Sequence, residues 1–333
     1  MQLIKNHTYG VCAFETDNIK YDEDYFTNSR GLKLFTCKWI PTNQEPKALI
    51  FFCHGYAMEC SITMKSCATR LVDSGFAVHG VDYEGHGRSE GRAAFINNLD
   101  DVVNDCSQHF RQVCEKGENG GKMRFLLGES MGGAVSLLLH RKMPGYWDGA
   151  VLAAPMCKIA DDIKPPPVMM SFLQALCKVI PTWKSIISQD LTDIAFKDPK
   201  VRAEIKANKY CYKGRPRLKT GHELLRISGD IEGRLQEVVI PFLLLHGGDD
   251  KVIDKSASRQ LYEVSKSPDK SFKLYPGMWH GLLFGEPTNN IDIVFADIID
   301  WLEERVMKRN QSGEGELKLS NENVPKQKLD SML

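Results

Sequence analysis

A chain of 333 residues with 42% hydrophobic content is long enough to bury one large α/β core or two smaller ones. Lysine plus arginine and aspartate plus glutamate both number 43, so no net field draws the protein toward nucleic acid or acidic lipid. The 10 cysteines are scattered without CxxC pairs or the Cys/His spacing of a zinc site; they read as reduced structural thiols, and no metal site is expected.

Residues 1–10 lack the apolar core of a signal peptide, and no run reaches the roughly 18 apolar residues of a membrane span, so a cytoplasmic protein is expected. Asn6-His7-Thr8 and Asn310-Gln311-Ser312 match glycosylation sequons, which are chance matches without a secretory signal. Residues 1–30 are polar, carry the acidic tract Asp22-Glu23-Asp24, and are expected to form an irregular N-terminal arm laid over the surface. Residues 33–40 then alternate like a half-buried antiparallel strand, whereas residues 48–53 are continuously apolar, like a strand covered on both faces. After His54-Gly55-Tyr56 come a helix over about 64–73, a strand over 76–82, the turn Gly85-His86-Gly87-Arg88-Ser89, and an amphipathic helix over about 99–115 with Asn98 as its cap. A short buried strand over 123–127 runs into Gly128-Glu129-Ser130-Met131-Gly132, and an apolar helix follows until Pro144 and Gly145 stop it. With a further strand over 149–154, this alternation implies a mostly parallel, doubly wound sheet with helices on both faces.

After Pro155 the strand rhythm breaks. Residues 156–226 contain Pro165-Pro166-Pro167, an apolar helix over 168–180 and the basic loop Lys213-Gly214-Arg215-Pro216-Arg217, which together read as an inserted helical cap. The core, residues 31–155 and 227–309, resumes with a strand over 242–246, a helix over about 256–264, a strand over 271–275 and a final helix over 292–307. Residues 310–333 are polar and lysine-rich and are expected to be a disordered tail.

Ser130 sits between two glycines at a strand-to-helix junction, which is the GxSxG nucleophile elbow in its required context. Such a turn strains the central residue, so its neighbours must lack bulk, and the helix that follows points its N-terminus at any negative charge forming there. A serine hydroxyl needs a base, and the usual base is a histidine held in one tautomer by a carboxylate. In doubly wound hydrolases the partners follow the serine in the order acid, then histidine, on loops after late strands. Both places are filled, by His246-Gly247-Gly248-Asp249-Asp250 and by Met278-Trp279-His280-Gly281. Asp249 and Asp250 compete for the acid, and the HGxxD pattern puts Asp250 at the working position; His280 is the base. His54, His86 and His246 come too early in the order and read as structural turn residues bonded to nearby backbone. The oxyanion donors are expected to be the backbone N–H groups of Met131 and of Tyr56.

At His54-Gly55-Tyr56, at residues 82–89, 128–133 and 246–250, at Ala154-Pro155-Met156 and at Met278-Trp279-His280, the chain resembles the plant monoacylglycerol lipase-like serine hydrolases, which are related to caffeoylshikimate esterase. The resemblance implies an α/β-hydrolase fold with a helical cap, the triad Ser130, Asp250 and His280, and the oxyanion hole at Tyr56 and Met131. It also implies a cap over an acyl-binding pocket, with His54, Glu59, Met156 and Trp279 lining the substrate site. The activity implied is hydrolysis of a carboxylic ester, foremost a monoacylglycerol, through an acyl-serine and without a cofactor. Alternatives are a caffeoylshikimate-type or lysophospholipid esterase, an acyltransferase, and, in another class, a ligand sensor built on a hydrolase scaffold. The partner expected is a small-molecule or lipid ester, not nucleic acid. The apolar cap helix packs on the core, gates a lipid tunnel, or rests on a lipid interface as a peripheral membrane contact.

Overall fold

The computed structural model describes residues 2–6, 11–15, 18–158, 176–184 and 191–312. Its strands are β1 (Gln2–Asn6), β2 (Val11–Glu15), β3 (Ile19–Thr27), β4 (Lys33–Pro41), β5 (Ala48–Cys53), β6 (Ala77–Val81), β7 (Met123–Glu129), β8 (Gly149–Ala153), β9 (Phe242–Gly247) and β10 (Lys270–Tyr275). They form one ten-stranded sheet in the order β1-β2-β3-β4-β6-β5-β7-β8-β9-β10. The β1 to β4 meander and the β4–β6 pair are antiparallel, and every pairing from β6 to β10 is parallel. This is the α/β-hydrolase fold.

The chain leaves β5 to one side to make β6, then crosses back over it to make β7. The strand order therefore reverses at β5 and β7, and a crevice opens beyond their carboxyl ends. Helices α1 (Lys65–Asp73), α2 (Leu99–Cys114), α3 (Met131–Lys142) and α8 (Thr288–Ser312) cover the sheet. The residue alternation of the central strands shows which helix lies on which face. Phe51 of β5 packs on Phe110 of α2, whereas Phe125 of β7 meets Trp301 of α8. Phe125 is in register with Ile50, so the two phenylalanines point to opposite faces. All of β5 and β7 is buried, as two-sided cover requires. Asn98 caps α2, its side chain accepting the Asp100 N–H at 3.1 Å.

The first thirty residues are not irregular. Strands β1 to β3 extend the sheet, and β3 pairs with β4 along its whole length. The acidic tract conceals an alternation in which Tyr21 and Glu23 turn inward. Glu23 accepts from Arg88 of the turn after β6 at 2.8 Å, and the Arg88 guanidinium lies 3.9 Å over the Phe35 ring. A partner 65 residues away makes that acid a sheet residue.

Between β8 and β9 lie α4 (Thr192–Ala195), α5 (Pro199–Ala207) and α6 (Leu218–Glu232). The expected cap boundary at residue 226 falls inside α6, whose Thr220 and Glu223 accept the Ile96 and Leu99 N–H groups at 3.0 and 3.1 Å. Of the apolar helix expected over 168–180, only 176–180 lies within the described residues, with 176–179 helical; the proline run and the tail from residue 313 lie outside them. Helix α7 (Lys255–Val264) follows β9. Among the described residues no helix is long and apolar enough to cross a membrane.

Candidate active site

Ser130 has φ 58° and ψ −120°, a conformation that L residues rarely adopt. Steric necessity surrounds it. A Cβ on Gly132 would stand 1.7 Å from the Cys53 carbonyl oxygen, and one on Gly128 would stand 2.2 Å from the Gly132 carbonyl oxygen. The two glycines thus let the elbow close against the end of β5. Its backbone is held by Ser130 N–H on Ala153 O at 3.0 Å and by Met156 N–H on Ser130 O at 3.0 Å. Met131 is the first residue of α3, where backbone N–H groups have no acceptor within the helix. The turn after β5 comes to the same place, since a Cβ on Gly55 would lie 3.8 Å from Ser130 Cβ. Tyr56 is half-buried there, with its hydroxyl on the Ala94 carbonyl at 3.1 Å.

His280 Nδ1 donates to Asp250 Oδ2 at 2.7 Å. Asp250 Oδ1 accepts the Val252 and Ile253 N–H groups at 2.7 and 3.1 Å. Asp249 is exposed, so the structure separates the two rival acids. Burial pushes the Asp250 carboxyl up, but the charge of His280 and the hydrogen bonds from His246 and His280 outweigh burial and hold it below the usual carboxylate range. Burial likewise pushes His280 down, and Asp250, with Glu129 behind it, raises it instead. The two loops are stitched together by Gly248 N–H on Tyr275 O at 2.7 Å and Asp249 N–H on Met278 O at 2.9 Å. Glu129, next to the serine, accepts the Leu283 N–H at 3.0 Å and so ties the elbow to the histidine loop. Burial lifts the Glu129 carboxyl to about 7, against the opposing pull of His280.

The residues expected to line the pocket have different surroundings. His54 is buried with both ring nitrogens engaged, Nδ1–H on Gly55 O at 2.8 Å and Nε2 accepting Tyr83 N–H at 3.2 Å. Burial, with His86 beside it, lowers His54 to about 3, so it is a neutral brace with no nitrogen left for a ligand. Glu59 is fully buried and accepts from the Ser61 hydroxyl at 2.7 Å, from Thr63 N–H at 2.7 Å and from Asn208 Nδ2 at 3.0 Å. Met156 is buried beside the elbow, and Trp279 is half-buried with its backbone N–H donating to Glu286 at 2.6 Å. His86 bonds Glu84 O at 3.0 Å, as a turn residue should. His246 does not bond backbone but faces Ser258 and Asp250. An open groove bordered by Lys20, Lys38, His79 and Lys116 contains none of these groups.

Described residues between β8 and β9 touch the loops around this centre. Gly281 N–H bonds Ala195 O at 2.8 Å, Phe196 packs on Phe284 with ring centroids 5.4 Å apart, and Tyr212 N–H bonds Ala57 O at 2.9 Å. The residues that sequence reasoning missed are Glu129, His246 and Ser258, whose roles depend on neighbours distant in sequence.

Residues 44–288 match the family described as serine aminopeptidase, S33. Caffeoylshikimate esterase of Arabidopsis thaliana is 32% identical over 296 residues, covering 89% of each chain. Human monoglyceride lipase is 32% identical over 297 residues, 85% of this chain and 91% of that one. Among solved structures, a soluble variant of the Saccharomyces cerevisiae monoglyceride lipase in complex with a substrate analog superposes with a TM-score of 0.76 at 21% identity, covering 85% of this chain and 94% of that one. A serine elbow, a paired acid and histidine on the last two sheet loops, and a match across most of the core lead to one assignment: the chain belongs to the serine aminopeptidase S33 family of α/β hydrolases.

Proposed function

We propose that this carboxylic ester hydrolase cleaves a monoacylglycerol through an acyl-serine intermediate. The observation that carries the reading is the 2.7 Å pairing of His280 with buried Asp250 on loops bound to the elbow of Ser130. In the cycle, Ser130 Oγ attacks the ester carbonyl carbon while His280 takes its proton. The N–H groups of Met131 and Tyr56 receive the charge on the carbonyl oxygen. The tetrahedral adduct collapses, His280 gives the proton to the departing glycerol oxygen, and the acyl group stays on Ser130. Water, deprotonated by His280, then attacks the acyl carbon and releases the fatty acid. His280 returns that proton to Ser130 Oγ as the acyl bond breaks, so each cycle consumes one ester and one water. Asp250 stays ionised throughout, which keeps the Nδ1–H tautomer and stabilises the imidazolium.

The segment over residues 156–226 acts as a cap over the acyl chain, a placement supported by the bonds from 195 and 212 to the loops around the site. Its outer side supports contact with lipid. Val179 and Trp183 are 78% and 62% exposed, and the exposed Lys178 and Lys184 stand beside them, a pairing suited to anionic headgroups. The cysteines from Cys37 to Cys211 are free and buried, which supports a reducing, cytoplasmic setting. A second reading, hydrolysis of a hydroxycinnamoyl ester, is favoured by the likeness to caffeoylshikimate esterase across 89% of the chain. The deciding experiment measures kcat/KM on monoacylglycerols, lysophospholipids and hydroxycinnamoyl esters, dispersed and in vesicles. Monoacylglycerol should give the highest value, and a higher one for the hydroxycinnamoyl ester would replace the reading. Ser130→Ala should abolish both turnover and labelling by a fluorophosphonate, and survival of either would remove Ser130 from the mechanism.

A further inference from the structure

Asp250 has a second imidazole against it. His246 lies at the end of β9, with a side chain 0% exposed, and its Nε2 stands 3.2 Å from Asp250 Oδ2, the oxygen that also receives His280. The approach is longer than the 2.7 Å of His280 and falls short of a well-formed hydrogen bond, and among the described residues Nε2 has no hydrogen-bond partner of better geometry. On the far side of the ring, Nδ1 meets the Ser258 hydroxyl of α7 at 2.8 Å, and Ser258 is itself buried. A neutral imidazole carries one N–H, so the two contacts must share it consistently. A hydroxyl can donate or accept, whereas a carboxylate only accepts. Ser258 therefore donates to Nδ1, and the proton sits on Nε2, facing Asp250.

We propose that His246 is a positioning residue for the acid of the triad: its Nε2–H, with the tautomer fixed by Ser258, holds Asp250 Oδ2 and competes with His280 for that oxygen. The inference rests on the triad reading above. With the Val252 and Ile253 N–H groups on Oδ1, and with His280 bonded to Oδ2 and His246 3.2 Å from it, each carboxylate oxygen faces two nitrogens, which restrains rotation of the acid. The competition has a direction. A carboxylate that loses one donor becomes more basic and holds the remaining donor more tightly, so His280 gives up its proton at higher pH. The other charged groups around the cluster are Glu129 at the end of β7, exposed Asp249, Lys251 and Lys255 on the β9–α7 loop, and the Lys158–Asp254 pair at 3.2 Å. None of these replaces a donor on Oδ2.

The test is the pH profile of kcat/KM on a soluble nitrophenyl ester. His246→Leu should move the acid limb up by about one pH unit. His246→Gln, whose amide N–H can reach toward the same oxygen, should return most of the way to the parent. Ser258→Ala removes only the hydroxyl and should move the limb the same way by a smaller amount. If His246→Leu fails to fold by circular dichroism, the Gln and Ala variants decide. Limbs that coincide with the parent in every folded variant overturn the inference, as does a uniform loss of kcat with an unmoved limb. Asp250→Asn is the control: if it keeps parental turnover, the triad reading itself has failed, whereas its collapse beside unmoved limbs sinks only the role of His246.

Discussion

Two buried carboxylates flank the histidine of this site, and their surroundings drive them in opposite directions. Asp250, on the loop after β9, is met by two imidazoles and two backbone N–H groups, and stays ionised despite its burial. Glu129, at the end of β7, has among the described residues only the backbone N–H groups of Leu283, at 3.0 Å, and Leu282 against it, and burial, helped by the charge of Asp250, lifts it to about 7 despite the pull of His280. Depth alone does not set the charge of a group; the number of donors aimed at it does. A loop can wrap donors around an acid, while a strand spends its N–H groups on the ladder. On the proposed mechanism, the loop acid is therefore the one suited to stabilising a histidine cation.

The largest break between the two regions should come from removing each charge in place. Asp250→Asn turns an amide N–H toward His280 Nδ1, which forces the ring proton onto the nitrogen that must act as base. A loss of about 10⁴-fold in kcat is expected. Glu129→Gln keeps the acceptor for Leu283 and should leave kcat within about tenfold of the parent at pH 8. Steady-state kinetics on a soluble ester measures both, and equal losses would erase the distinction drawn between the loops.

The two regions also differ in how far the sequence revealed them. The elbow was legible because its constraint is local: Gly128 and Gly132 are needed wherever a strand turns so sharply into a helix, and chain order then points to Asp250 and His280. The apolar strands were legible for the same reason. Glu129 was not, because nothing in GxSxG distinguishes a solvated glutamate from one sealed under Leu283, 154 residues later. His246 was expected to bond backbone, and it is the position of Ser258 on α7 and of Asp250 across the loop that redirects it. Nor does the sequence show that Glu59 is bonded by Asn208, 149 residues away. The N-terminal strands escaped notice through the same physics, since Glu23 reads as polar surface until Arg88 is placed against it. Long-range polar pairing is the part of this molecule that periodicity does not encode.

Stability against pH should carry the signatures of both acids with opposite signs. The Glu129 carboxyl is raised from 4.5 to about 7, so the folded state holds its proton more tightly than the unfolded chain. Its contribution is most favourable below pH 4.5 and is lost as pH rises to about 7, a change of about 3 kcal/mol for one group. Asp250 is lowered from 3.8, so its contribution is present above that value and disappears in acid. Urea midpoints at pH 4 and pH 8.5 for the parent and Glu129→Gln isolate the Glu129 part. The variant should match the parent at pH 4 and exceed it at pH 8.5, and parallel midpoints at both would mean that Glu129 ionises as freely in the fold as in water.

The smallest effect is the sharpest test of how the acids share the histidine. Both raise His280, Asp250 by direct contact and Glu129 from behind. Asp250 is ionised across the whole working range, so it sets a constant offset. Glu129 ionises near neutrality, so its push on His280 grows as pH rises through about 7. Glu129→Gln removes that growing term while leaving the hydrogen-bond geometry of Asp250 alone. The acid limb of kcat/KM should therefore move down by a fraction of a pH unit, opposite in sign to the shift expected for His246→Leu, and should steepen toward a single ionisation. The double variant should fall near the parent, because one change removes a field that raises His280 and the other removes a competitor that lowers it. A limb that moves up in Glu129→Gln would mean that the strand acid acts on His280 as a neutral hydrogen-bonding group rather than as a charge.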